Sequence, residues 1–167
     1  MTARGVQLWR IATDAATYLA EDLTGEGARR SGGRWNAIGT PLVYAASNRA
    51  LACLETIVHL GGSAPALPLN RFLVQIDVPA TVWRKATVLE PSKLVGWDAL
   101  PASKTSIDWG TAWARSKAQL LALVPSVVVP EEMNVLINPL HRDVARISAS
   151  KVRRWLYDPR AFGIALR

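Results

Sequence analysis

The chain has 167 residues, half of them apolar and a fifth charged, with a formal net charge of +7 and an isoelectric point near 10.2. That length supports one domain with a real core, taken here as residues 1–167, and the composition is globular rather than disordered, collagen-like or coiled-coil. One cysteine, Cys53, excludes an internal disulfide and the metal spacings built on paired cysteines, while the positive balance favours an anionic partner: nucleic acid, a nucleotide or an acidic protein.

Residues 6–11 read as a first strand, with Leu8 and Arg10 on one face and Gln7 and Trp9 on the other. Residues 24–40 hold Gly25, Gly27, Gly32, Gly33 and Gly39, a density expected of a loop that turns sharply or approaches something closely. Pro41 then admits a short strand over 42–46. Ser47 or Asn48 caps a helix whose apolar residues Ala50, Leu51, Leu54, Ile57 and Val58 recur at three- and four-residue spacing until Gly61-Gly62. A small-residue connector occupies 61–68, and 71–78 alternates as a half-buried strand.

Residues 81–89 read as another strand, 90–106 as a surface excursion, and 111–123 as a second helix closed by Pro125. Strands over 126–129, 134–138 and 152–157 complete the pattern. Strands separated by only two helices predict an α/β protein of the α+β kind, a single compact domain whose bent, mixed sheet is mostly antiparallel and carries flanking helices. Residues 120–129, broken by Pro125 and Ser126, fall short of a membrane span, and 1–14 lack the apolar centre of a secretory signal, so the expected location is cytoplasmic.

Glu55 has Leu51 at i−4 and Val58 at i+3, so it borders the buried stripe of its helix, where a carboxylate needs a partner. Either it pairs with His59 one turn on, or it faces a cleft. Arg34 follows Gly32-Gly33, and glycine amides with a guanidinium fork suit phosphate, although a tight turn with an exposed arginine explains the same residues. Tyr44 fits a core tyrosine. Ser126, Asn134 and Asn138 fit turns and caps at strand ends. No Walker, Rossmann or nucleophile-elbow pattern is present. Only His59 and His141 offer imidazole, far apart in sequence, so no metal is assigned, with carboxylate ligation left open. The late basic residues Lys151, Arg153, Arg154, Arg160 and Arg167 read as a solvated face.

Taken together, Gly32-Gly33-Arg34-Trp35-Asn36, Val43-Tyr44-Ala45, Ala52-x-x-Glu55 and the stretch from Val124-Pro125-Ser126 through Asn134-x-Leu136-Ile137-Asn138-Pro139-x-His141 resemble the RES domain, over about residues 8–147. The pattern departs from the family at Ile107-Asp108-Trp109-Gly110-Thr111, where an Ile-Gly-Asp run is expected. The resemblance implies an ADP-ribosyltransferase-like fold and the toxin of a toxin–antitoxin pair that depletes NAD+ by cleaving the nicotinamide–ribose bond. It implies catalytic roles for Arg34, Tyr44, Glu55 and Ser126, and substrate contacts from Arg10, Asn36, Trp35 and Asn138. NAD+ is then substrate rather than cofactor, and no cofactor is expected. The implied partner is a helix-turn-helix antitoxin of the Xre type, through which alone DNA is met; a homodimer is left open and a membrane is not expected. The acceptor, whether water, phosphate or a protein side chain, is not given by residue types. A non-enzymatic nucleic-acid-binding module, suggested by the charge of +7, is the alternative from another class.

Overall fold

The computed structural model describes residues 5–61 and 67–163. Seven strands form one sheet: β1 (Val6–Thr13), β2 (Val43–Ala46), β3 (Arg71–Val78), β4 (Thr87–Val88), β5 (Leu121–Pro125), β6 (Met133–Ile137) and β7 (Ser148–Arg154). Their order is β4-β5-β6-β2-β1-β3-β7, and every pairing is antiparallel except β4 with β5. With helices α1 (Glu26–Ser31), α2 (Arg49–Leu60), α3 (Ala80–Trp83) and α4 (Lys104–Ser116), this is the expected α+β fold with a mostly antiparallel mixed sheet.

The alternation along the strands sorts side chains onto two faces. One face carries Leu8, Ala12, Val43, Ala45, Val74, Ile76, Val135 and Ile137 under Val82 of α3 and Ile147. The other face is divided. Toward β1 and β3, α2 lays Leu51 and Ala52 on Trp9, Ile11, Ala46 and Leu73. Toward β5 and β6, Ala114 of α4 packs with Trp35 and Leu42 on Ala122, Val124 and Leu136. A seam runs between these two cores.

Helix α2 starts where Asn48 accepts a hydrogen bond from the Leu51 amide at 2.8 Å, and stops at Gly61, whose φ of 63° suits glycine. Burial of Leu51 on the sheet contributes about 1.5–3 kcal/mol. Helix α4 crosses Trp35 at Gly110, where a Cβ would stand 2.0 Å from the Trp35 carbonyl oxygen, so glycine is required there despite its cost of about 0.5–1 kcal/mol within a helix.

Several expected boundaries move. The glycine-rich loop contains α1, held by Glu26 bonding both Arg29 and Arg30 at 2.6 Å. The strand expected over 81–89 is α3, entered at Pro79, followed by the short β4. The second helix begins earlier than expected, at the Ser103 cap, and ends at Lys117, so the surface excursion of 90–106 is shorter. The apolar residues 121–123, expected as the end of that helix, belong to β5, an interior strand buried on both faces, a case in which a continuous apolar run does not distinguish helix from strand. Residue 126 lies beyond the end of β5 rather than opening a strand, and the last strand is Ser148–Arg154 rather than 152–157. Of the connector over 61–68, residues 62–66 lie outside the described residues.

Candidate active site

Glu55 projects from α2 into the seam. Its Oε1 accepts hydrogen bonds from Ser126 Oγ at 2.7 Å and Asn134 Nδ2 at 2.5 Å. Strand register explains the second: Asn134 pairs with Ala46 and Val124, on the face that α2 covers. Ser126 is fully buried, and its Oγ also accepts from the amides of Val128 and Val129, each at 3.1 Å. One hydroxyl proton and two lone pairs are thereby all in use, and the proton is aimed at Glu55. His59 does not pair with the Glu55 carboxylate. Its Nδ1 lies 2.6 Å from the Glu55 main-chain oxygen, and because a carbonyl only accepts, that nitrogen carries the proton.

Arg34 enters from the other side of the seam. Its Nη1 donates to the carbonyls of Trp97 and Ala99, both at 2.9 Å, which ties the guanidinium to the 97–99 loop. Burial lowers its pKa, and Glu55 is the largest of the charges opposing that shift. Arg34 and Glu55 line one cavity of about 470 Å³, together with Trp35, His59, Leu100, Val128 and Asn134. Roughly 300–1,000 Å³ is the usual span of small-molecule sites. A second cavity of about 160 Å³ shares Glu55, His59 and Asn134 with the first and continues past Tyr44 to Arg10. Among the described residues Arg10 donates only to the Asp22 carbonyl, at 3.3 Å, and burial brings its pKa down to about 10 against the pull of Asp22.

The remaining residues singled out from the sequence hold the site in place. Tyr44 Oη donates to Asn36 Oδ1 at 2.7 Å and accepts from the Trp35 amide at 3.0 Å, and burial pushes the phenol pKa up. Asn36 spends its amide group on the carbonyls of Ala28 and Thr40 at 2.8 and 3.0 Å. Gly33 is tight against the same hydroxyl, with a Cβ there 2.7 Å from Tyr44 Oη. Tyr44 and Asn36 therefore fix the backbone that presents Arg34. Trp35 is 2% exposed and meets Trp109 edge to face at 5.5 Å. Asn138 is fully buried, donates to the Ala114 carbonyl at 2.8 Å, accepts from the Leu140 amide at 3.0 Å, and lines neither cavity. The substrate contact expected of an asparagine in this stretch is geometrically available to Asn134 instead, four residues earlier. Sequence reading passed over Asn134 because both asparagines look alike at the ends of β6.

An arginine and a carboxylate thus line one cavity at the seam of the sheet, and a second arginine lines the cavity that adjoins it. The RES domain profile matches residues 7–159, and the chain belongs to that family. It is 61% identical over 153 residues to the "Prs ADP-ribosylating toxin" of Sphingobium sp. (strain YBL2), covering 91% of this chain and 94% of that protein. It is 37% identical over 145 residues to "Toxin Res" of Yersinia enterocolitica, covering 86% and 92%. Another "Toxin Res", from Pseudomonas putida, is 35% identical over 156 residues, covering 93% and 99%. Among the described residues no helix is long and apolar enough to cross a membrane.

Proposed function

We propose that this chain is a toxin that consumes NAD+ by breaking the bond between nicotinamide and ribose. The observation that carries the reading is the shared cavity of Arg34 and Glu55, with Glu55 fixed through Oε1 by two donors while no donor among the described residues engages Oε2. As the C1′–N bond breaks, its electron pair goes to the nicotinamide nitrogen and cancels the pyridinium charge, and positive charge develops on the ribose. A carboxylate held at a fixed angle stabilises that charge without reorganising. Arg10 and Arg34, on either side of Glu55 along the cleft, supply the positive charge that a dinucleotide requires. Ser126 is a positioning residue, its hydroxyl already committed, and Asn134 shares that task.

The acceptor then attacks C1′ and loses a proton. Water gives ADP-ribose and makes the chain a glycohydrolase, and phosphate makes it a phosphorylase. Transfer to a protein side chain is the second reading, and the naming of the Sphingobium relative favours it. Toxicity of either kind calls for a neutralising partner, and we assign that role to a helix-turn-helix antitoxin of the Xre type, with the cytoplasm as the place of action. Mass spectrometry of the products made from NAD+ by the purified chain, with buffer alone, with phosphate, or with cell lysate, tests the reading. Free ADP-ribose, a phosphorylated ADP-ribose or a modified protein identifies the acceptor, and intact NAD+ in all three overturns the proposal. Copurification of the coexpressed helix-turn-helix protein tests the partner.

A further inference from the structure

We infer that the gap between β1 and β2 contains a phosphate site built from Arg10 and Arg71, and that it seats the diphosphate of the dinucleotide. This rests on the NAD+ reading above and gives the cleft a direction.

Strands β1 and β2 are neighbours in the sheet yet share a single register pair, Trp9 with Ala46. Beyond it they part, and the wedge they leave holds a cavity of about 230 Å³ lined by Arg10, Tyr18, Tyr44 and Arg71 among others. β3 brings Arg71 to the open end, opposite Thr13. Arg71 Nε is buried without a hydrogen-bond partner, and among the described residues neither Arg71 nor Arg10 has a carboxylate within ion-pair distance. Two carboxylates also line this cavity: Glu26 is already paired with Arg29 and Arg30, and Asp22, which accepts from the Thr24 amide at 2.6 Å, acts on Arg10 from beyond ion-pair distance.

Arg10 and Arg71 are each part-buried, and two such guanidinium groups facing one wedge, with no ion-pair partner among the described residues, are completed by an anion from outside. The fork of donors on each suits the oxygens of a diphosphate. The wedge shares Arg10, Ile11 and Tyr44 with the 160 Å³ cavity, which shares Glu55, His59 and Asn134 with the largest of the three. A diphosphate under Arg10 and Arg71 thus directs the nicotinamide riboside toward Glu55. Arg34, at the far side of Glu55, is left to the reacting end.

The test is calorimetric titration of the purified chain, wild type, Arg71→Ala and Arg71→Lys, with ADP-ribose, alongside the KM for NAD+ measured by nicotinamide release. Loss of a charged hydrogen-bonding partner predicts about tenfold weaker ADP-ribose binding in Arg71→Ala, a parallel rise in KM with a much smaller fall in kcat, and partial retention by Arg71→Lys. Inorganic pyrophosphate competes with NAD+ for the wild type, a readout that needs no variant. ADP-ribose affinity and KM unchanged in a folded Arg71→Ala protein, or no competition by pyrophosphate, overturns the inference. Should the wild type bind ADP-ribose and pyrophosphate while releasing no nicotinamide, the phosphate site stands and the NAD+-cleavage reading falls.

Discussion

Around Glu55 the charged groups are few and partly buried, whereas β7 sets Lys151, Arg153 and Arg154 along an outer edge of the sheet, the two arginines exposed. The edge charges are satisfied locally. Lys151 pairs with Asp14 at 2.8 Å and Glu21 at 3.3 Å, and the Arg153 guanidinium lies 4.5 Å from the Trp155 ring centre. Basic residues on an edge strand also discourage pairing with another sheet. In the cleft, by contrast, Arg34 and Arg10 are desolvated and, among the described residues, bonded only to backbone carbonyls. The net charge of +7 is thus a poor guide to the site. Where a charge is desolvated matters more than how many charges there are.

Substitutions that separate the two regions sharpen this contrast. Arg34→Ala should lower nicotinamide release by about 10²–10³-fold while the circular dichroism spectrum stays that of the wild type. A smaller loss would return Arg34 to the role of a turn residue holding the 97–99 loop. Ser126→Ala, which frees one of two donors to Glu55, should cost about tenfold in kcat with KM little changed. An equal loss in kcat and gain in KM would mean that Ser126 touches substrate directly. Replacing Arg153 and Arg154 together by glutamine should change NAD+ turnover by less than about twofold, as expected for a solvated surface. If that pair instead abolished tight, steeply salt-dependent binding to duplex DNA, the nucleic-acid reading would regain its standing.

The smallest effect concerns α1. Arg29 and Arg30 hold the Glu26 carboxyl down to about 2, below its usual value of 4.5. A depressed folded-state pKa contributes stability that is present above about pH 4.5 and lost as pH falls toward 2. Because these pairs are exposed, the melting temperature of Glu26→Gln should differ from the wild type only slightly at neutral pH, and the gap should close in that acid window. A gap that widened there would contradict the assignment.

Much of the cleft was legible from periodicity. β1, β2, α2 and β3 sit close to where alternation and capping place them, so Glu55 at the border of its helical stripe was identifiable as a carboxylate in need of a partner. Its partner was not, because pairing is a property of register. Asn134 in β6 and Asn138 just past its end look alike in sequence, but the first lies under α2 beside Glu55 and the second under α4, where it donates to the Ala114 carbonyl. The run through β5 misled for a related reason. An interior strand covered on both faces loses the alternation that marks it, and the position of α4 followed that error. Arg71 gave no sign at all, since only the parting of β1 from β2 makes its position notable.

The most direct measurement is the rate of nicotinamide release from NAD+ by the purified chain and by Glu55→Gln, which keeps the shape and both side-chain hydrogen-bonding positions but removes the negative charge. Turnover by the wild type with a fall of about 10³-fold in the folded variant is the expected result. Equal rates from the two proteins, or no release from either, would contradict a carboxylate acting on the bond between nicotinamide and ribose.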